Sequence, residues 1–340
     1  MFPARRVHPY LPYRRADDNI FYPALIAFTL EPLLGRLLPK ERLLAEQIIA
    51  GVRSNFSAYE SQRQPGLYNF YRTRPPSPYP NGWLLHRFKH FRLAEDADDT
   101  VMISTLLEDL AKDRIDWLRE ELVRFSNLQG KRLFHPLSEY AAIPAHGVWL
   151  GTGAMPVEVD VCVLCNILYF TARKQRAFNV TDLASLDFIR RALVTGDIFR
   201  HPFLLSFYYP DPTVILYHIA RLWAVFPEPT RYLPRRVISE ALWRRGEETR
   251  GQLIPQLMLR SSLLKLGEAP PQLEYDMEAL ARSATEFPFF IAPMLAGTRS
   301  KLLNRLAAWR LFQVDYRCDA YFFALAVEYE TLRQKDLIGG

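Results

Sequence analysis

Two kinds of apolar segment alternate along the chain. Over most of its length, apolar positions recur at intervals near 3.6 residues, which predicts α-helices. The predicted helices are Leu25–Leu38, Glu41–Ser54, Asp98–Lys112, Ile115–Ser126, Val157–Lys174, Thr181–Thr195, Thr213–Phe226, Leu233–Glu248, Pro255–Leu266, Gln272–Thr285, Leu302–Phe312 and Ala320–Gln334. Strand signals are weak and are confined to two short segments, Leu67–Tyr71 and Lys131–Phe134. The pattern therefore predicts an all-α protein.

The helices fall into an apolar group and an amphipathic group. The apolar group is rich in small and aromatic residues and comprises the helices that begin at Asp98, Val157, Thr213, Pro255 and Ala320. The amphipathic group carries most of the Arg and Glu and comprises those that begin at Ile115, Thr181, Leu233 and Gln272. Concentric packing needs this alternation, because inner helices are buried on all sides and outer helices keep one wet face.

We expect one α/α toroid of about six helical hairpins over residues 1–340, with residues 1–20 as an irregular N-terminal arm. The alternative is an α-solenoid or an irregular bundle. A solenoid would show a consensus at a fixed period, and the sequence has none.

Composition and charge narrow the function classes. With 49% hydrophobic and 24% charged residues, the chain has the composition of a folded globular protein. Its net charge of +6 is scattered as Arg pairs without any long basic run, which argues against nucleic-acid binding but is compatible with weak contact with an anionic membrane surface. The oligomeric state is left open.

The cysteines and the N-terminus bear on the compartment. Three cysteines argue against a disulfide framework and favour a reducing cytoplasm. The first fifteen residues have no apolar core of a signal peptide, and charges and prolines interrupt the apolar segment 21–38. We therefore expect a cytoplasmic protein, at most peripherally attached to a membrane.

Four carboxylates crowd together immediately before one apolar helix. Glu95, Asp96, Asp98 and Asp99 fall within five residues. Helix capping and the helix dipole explain one or two of them. Crowded carboxylates repel one another and share protons, which raises their pKa values. A carboxylic acid with a raised pKa is what general-acid catalysis uses.

The segment Asp96-Ala97-Asp98-Asp99-Thr100 resembles the DxDDT motif of class II terpene cyclases, the squalene–hopene cyclase type. The resemblance implies an α/α toroid and the protonation-initiated cyclisation of a linear isoprenoid. It also implies that Asp98 is the proton donor, and that Asp96 and Asp99 orient and polarise it.

A second, weaker likeness precedes that motif. The segment 62–68 is a degenerate copy of the family's Q-x-x-x-G-x-W repeat, with Tyr68 in place of Trp. The resemblance covers about a third of the chain, from Gln62 to Phe170. The chain departs from the family in lacking a second such repeat, in having Val101 after the motif, and in having room for one toroid only.

Cyclisation through a carbocation requires a dry site with aromatic walls. The expected substrate-binding residues are Tyr68, Phe70, Trp83, Trp149, Asp160, Tyr209 and Tyr217. The competing interpretation is that aromatic residues on apolar helices simply fill the core. No cofactor is expected, although a diphosphate substrate would bring Mg²⁺ with it.

Three other functions stay open. Asp160-x-Cys162 with a distant His218 or His201 resembles the zinc ligands of protein prenyltransferase β subunits. A carbohydrate-active toroid would use Asp98 and Asp160 as acid and base. The third is a non-catalytic binding module of the same fold. Phosphate-loop, dinucleotide-binding and nucleophile-elbow motifs do not occur in the sequence, which argues against those chemistries.

Overall fold

The structure of the protein, a computed structural model, describes residues 2–74, 94–129, 132–151, 155–226, 232–295 and 300–338. The chain is mostly helical and carries a small antiparallel sheet. The helices are α1 Phe21–Leu30, α2 Pro39–Arg53, α3 Ala97–Leu106, α4 Lys112–Arg124, α5 Ser138–Ala141, α6 Val161–Arg173, α7 Val180–Val194, α8 Asp197–Arg200, α9 Pro202–Leu205, α10 Pro212–Val225, α11 Arg235–Glu248, α12 Leu253–Lys265, α13 Met277–Ala284, α14 Lys301–Ala307 and α15 Asp319–Ile338. The strands are β1 Ala4–Val7, β2 Arg14–Asp17, β3 Glu95–Asp96, β4 Trp149–Leu150, β5 Phe290–Pro293 and β6 Gln313–Arg317.

Six helices make a closed cycle of contacts. Helix α1 packs on α3, α3 on α6, α6 on α10, α10 on α12, α12 on α15, and α15 back on α1. Nearly all residues of α1, α3, α6 and α10 are buried. Four further helices pack outside this cycle: α2 on α1, α7 on α6, α11 on α10 and α12, and α13 on α12 and α15.

The division into apolar and amphipathic helices matches this arrangement. Five of the six helices in the cycle begin within four residues of those of the apolar group. The sixth helix, α1, is not in the apolar group that the sequence predicts. The sequence pattern predicts a helix over Leu25–Leu38, but the helix begins at Phe21 because Pro23 is tolerated in a first turn. It ends at Leu30, and a 3₁₀ turn follows over Glu31–Leu33.

The chain is mostly helical as predicted, but it is not purely all-α, and residues 1–20 contain two strands instead of an irregular arm. Four strands form an antiparallel sheet in the order β2-β1-β6-β5, and β1 and β2 lie within that arm. Arg5 of β1 pairs with Arg317 of β6, more than three hundred positions away, and Phe290 of β5 pairs with Tyr316 of β6. Strands of four or five residues leave little local pattern, and the partner of β1 in β6 lies at the other end of the chain.

The N-terminal hairpin is also bonded to the last helix. Both guanidinium nitrogens of Arg5 donate to the carboxylate of Asp319 at the start of α15, at 2.7 and 2.9 Å. We expect deletion of residues 2–18 to lower the free energy of unfolding by at least about 2 kcal/mol, because β6 loses its neighbour and becomes an edge strand. Thermal denaturation of the truncated and full-length proteins measures the difference. An unchanged melting temperature would show that the hairpin does not stabilise the fold.

None of the helices in the described part of the chain is both long and apolar enough to traverse a lipid bilayer.

Candidate functional site

A pocket of about 50 Å³ lies where the first turns of α3 and α6 meet strands β4, β5 and β6. Two carboxylates line it, Asp96 and Asp98. Six aromatic side chains line the rest together with three small aliphatic residues; the aromatic residues are Phe70, Trp149, Tyr208, Tyr209, Phe290 and Tyr316. The pocket thus combines acids with aromatic walls.

Asp96 caps helix α3. Its Oδ1 accepts hydrogen bonds from the backbone nitrogens of Asp98, at 2.7 Å, and Asp99, at 3.3 Å, as an N-cap side chain does. Asp96 also pairs with Trp149 across the short ladder between β3 and β4. One residue therefore fixes both the start of the acidic helix and the strand that supplies an aromatic wall.

Asp98 stands at the head of a buried chain of hydrogen bonds. Its Oδ1 accepts from Nδ2 of Asn166 at 2.5 Å, and its Oδ2 accepts from the hydroxyl of Tyr209. Oδ1 of Asn166 in turn accepts from Nη2 of Arg221 at 2.5 Å. The amide of Asn166 thus links the carboxylate to a guanidinium deep in the core.

Arg221 is enclosed by aromatic rings. Its Cζ lies 4.7 Å from the ring centroid of Phe28 and 5.5 Å from that of Tyr217, within the range of cation–π attraction. A buried arginine in this position favours the ionised form of Asp98, because its positive charge acts through the Asn166 bridge.

Burial outweighs these favourable contacts. It raises the pKa of Asp98, although the hydrogen bonds from Asn166 and Tyr209 and the charge of Arg221 oppose the shift. Asp99 is fully buried, and neither of its carboxylate oxygens has a hydrogen-bond partner. Burial and the charges of Asp96 and Asp98 raise its pKa well above the usual value. Burial and these neighbouring charges therefore favour the neutral form of Asp99.

Asp160 repeats the capping role on α6. Its carboxylate accepts from the backbone nitrogen of Cys162 at 2.8 Å, the hydroxyl of Ser206 at 2.7 Å and the backbone nitrogen of Tyr208 at 3.2 Å. Burial raises its pKa to about 7 against these hydrogen bonds. Because Asp160 does not line the pocket that Asp98 lines, the structure does not favour Asp98 and Asp160 as the acid and base of a carbohydrate-active enzyme.

Glu158 accepts hydrogen bonds from two of the aromatic side chains that line the pocket. Its Oε2 accepts from Nε1 of Trp149 at 2.8 Å and from the hydroxyl of Tyr208 at 2.6 Å. Burial raises the pKa of this glutamate, and the two hydrogen bonds limit the shift. Glu158 orients the two rings, because each donates its single polar hydrogen to the same carboxylate oxygen.

The structure brings five of the predicted site residues to the pocket wall: Asp96, Asp98, Phe70, Trp149 and Tyr209. Two of the expected carboxylates and three of the expected aromatic residues therefore line one pocket. The structure adds a direct hydrogen bond that the sequence does not predict, from the hydroxyl of Tyr209 to the carboxylate of Asp98.

Other predicted residues lie elsewhere. The backbone of Tyr68 pairs with Asp96, but its side chain is not part of the pocket wall. Tyr217 is buried deeper, where its hydroxyl donates to a carboxylate of α15. Asp99 and Asp160 are buried behind the wall. Trp83 lies outside the described residues.

The alternative zinc site does not form. Across the described ranges, no three His, Cys, Asp or Glu side chains are grouped so that they could hold a metal ion, and this applies to Asp160, Cys162 and His218. Nδ1 of His218 bonds to the carbonyl of Val214 at 2.8 Å, and the sulfur of Cys162 accepts from the hydroxyl of Ser206 at 3.7 Å. Both side chains are buried in the core.

The sequence analysis missed Asn166, Arg221, Phe290 and Tyr316. The sequence does contain a signal for Asn166 and Arg221, because each is a polar residue inside a largely apolar helix. The other two come from β5 and β6, whose strands were not predicted.

Comparison with known proteins adds no relative. No protein family, curated protein or solved structure matches the chain. The interpretation of the pocket therefore rests on its geometry and on the chemistry of its residues.

The raised carboxyl pKa values predict how stability depends on pH. A carboxyl group near pKa 4 in the unfolded chain and higher in the folded one stabilises the fold when protonated, and this contribution is lost as pH rises through the folded value. The folded pKa is about 7 for Asp160 and about 8 for Asp96. We therefore expect stability to fall between about pH 6.5 and 8. Buried His135 and His218, whose pKa values are lowered, act mainly below this range.

Asp160 gives this prediction its matched variant, because its folded pKa of about 7 lies within this range. Asp160→Asn removes a titrating proton without changing size and keeps a capping side chain, so the slope of unfolding free energy against pH should become less negative by up to about 1.4 kcal/mol per pH unit. Urea denaturation at several pH values measures both slopes. A wild-type protein that gains stability from pH 6.5 to 8 would contradict the assignment of these groups as buried neutral acids.

Proposed function

We propose that this chain is a class II terpene cyclase-like enzyme in which Asp98 protonates a terminal double bond of a linear isoprenoid. The observation that carries the proposal is the position of Asp98. It is a buried acid with a raised pKa, and it lies in the wall of a pocket whose other large side chains are aromatic.

The proposed first step is a proton transfer. The carboxyl O–H bond of Asp98 breaks, its proton forms a C–H bond with one alkene carbon, and the other alkene carbon becomes a cation. The Asp98 carboxylate left behind accepts hydrogen bonds from Asn166 and Tyr209. Donors that strengthen on the anion lower the barrier of a proton transfer, because they are already in place when charge develops.

In the later steps, a second double bond attacks the cation and closes a ring, and a neighbouring carbon then loses a proton to water at the pocket mouth. Asp98 regains a proton from solvent, so that product and substrate are isomers and the acid is restored. Aromatic faces stabilise the cation without reacting with it. The rings of Tyr208, Tyr209 and Phe290 are positioned for this role.

The pocket size limits what enters it. A water needs roughly 10–15 Å³ of such volume, so about 50 Å³ admits a group of roughly four such units. We therefore propose that only the end of the isoprenoid chain enters, while the remainder lies outside the mouth. A diphosphate with its Mg²⁺ would stay outside as well, because the described residues of the wall offer two carboxylates and no basic side chain.

The proposed architecture is the α/α toroid. The closed cycle of α1, α3, α6, α10, α12 and α15, with amphipathic helices packed outside it, supports this proposal. In such an arrangement the first turns of inner helices carry the acids, as α3 does with Asp98.

Product analysis tests the function. The protein is incubated with linear prenyl alcohols, hydrocarbons and diphosphates of several lengths, and the extracts are analysed by mass spectrometry. We expect a cyclic isomer from at least one neutral substrate without added metal. If every substrate is recovered unchanged while the protein is folded, the enzyme proposal fails.

A further inference from the structure

We propose that the pocket between α3, α6 and the sheet binds a small organic cation, a tertiary or quaternary ammonium head group, whether or not the protein turns over an isoprenoid. This proposal goes beyond the cyclase function because it concerns a stable ligand. It rests on three features of the pocket: its aromatic rings, its two carboxylates and the lack of basic side chains among the described residues of its wall.

The aromatic rings surround the pocket from several directions. Phe290 lies at their centre, nearly parallel to Tyr208 at 6.0 Å and to Phe70 at 5.6 Å between ring centroids. Tyr209 and Tyr316 meet it edge-on, at 5.3 and 5.2 Å. These contacts form one aromatic cluster whose members line the pocket, and an ammonium group within about 6 Å of a ring centroid is attracted to the face of that ring.

The two acids line the pocket without a basic side chain beside them in the described wall. Asp96 and Asp98 line the pocket, and the wall includes no Lys, Arg or His among the described residues. Arg221 carries the compensating positive charge for Asp98, but it lies outside the pocket wall and is linked to Asp98 through the amide of Asn166. A cation placed inside the pocket would favour ionisation of the two carboxylates, because its charge offsets the cost of burying theirs.

The walls select the kind of cation. A metal ion would need several oxygen, nitrogen or sulfur ligands, whereas most of this wall is hydrocarbon. A primary ammonium is strongly hydrated and donates three hydrogen bonds. A methylated ammonium presents an apolar surface to the rings while keeping its charge, and its size suits a pocket of about 50 Å³.

The test compares choline with its neutral isostere, 3,3-dimethylbutan-1-ol, which has the same shape and no charge. Calorimetric titration of the full chain, supported by tryptophan fluorescence, gives both affinities. We expect choline to bind at least about tenfold more tightly than the neutral alcohol, because only the cation gains from the rings and the acids.

Three variants locate the binding. Asp98→Asn should weaken choline binding at least about fivefold and leave the neutral alcohol unaffected, and Phe290→Leu should weaken choline binding by a similar factor. Asp187→Asn, which removes one charge from exposed helix α7, should change neither affinity. Equal affinities for the two ligands, no binding of choline, or equal losses in the Asp98 and Asp187 variants would overturn the proposal. Because no turnover is measured, failure here is distinguishable from failure of the cyclase proposal.

Discussion

Replacing Asp98 with asparagine is expected to lower turnover by a factor of about 10² to 10⁴, the usual loss on removal of a general acid. The variant keeps the size of the side chain. Its carbonyl oxygen can still accept from Asn166, and its amide can donate to the oxygen of Tyr209. The variant loses the transferable proton, and because the isoprenoid is neutral, stability and isoprenoid affinity should change little.

The charge-matched control is Asp187→Asn, on the exposed face of α7, where the aspartate pairs with Arg190 at 2.8 Å and Arg191 at 3.8 Å. It should turn over like the wild type. Rates are measured as cyclic product formed per minute from the best substrate, with circular dichroism as the check on folding. A folded Asp98→Asn protein that forms product at the wild-type rate would remove Asp98 from the role of acid.

Replacing Asn166 with leucine is expected to give the largest loss of stability, about 3 kcal/mol or more. The side chain is nearly inaccessible to solvent, so its partners cannot turn to water instead. Leucine would leave Oδ1 of Asp98 without its donor and Nη2 of Arg221 without its acceptor. An uncompensated buried guanidinium is the costly part.

A double-mutant cycle separates these costs. In the Asn166→Leu, Arg221→Met protein the unpaired charge is gone, and methionine can occupy the space between the rings of Phe28 and Tyr217. We expect the double variant to be more stable than Asn166→Leu alone, with a coupling energy of about 1–3 kcal/mol from urea denaturation. Additive losses would show that Asn166 and Arg221 do not act as one network.

The helices could be predicted from the sequence because their cause is local. A helix buried on all sides differs from one with a wet face within a window of a dozen residues, as α6 and α11 show. The sheet could not be predicted in this way. Strand β1 pairs with β6 more than three hundred residues later, and nothing in the short sequence of either strand identifies the other.

The candidate site also contains residues that local sequence identifies and residues whose position depends on long-range packing. Asp98 could be identified because crowded acids before an apolar helix are unusual in themselves. Asn166 and Phe290 could not be placed beside it, because their proximity depends on how α6 and the sheet pack against α3. Tyr217 illustrates the opposite error. It was chosen as an aromatic residue on an apolar helix, and packing turns it towards α15 instead of the pocket.

The most direct test of the central claim is cyclisation in deuterium oxide. If Asp98, exchanged with solvent, delivers the initiating proton, the cyclic product gains a single deuterium at the carbon that was protonated, and mass spectrometry with NMR locates it. The Asp98→Asn protein should give no labelled product. A cyclic product formed by the wild-type protein in deuterium oxide without any deuterium would contradict protonation as the first step.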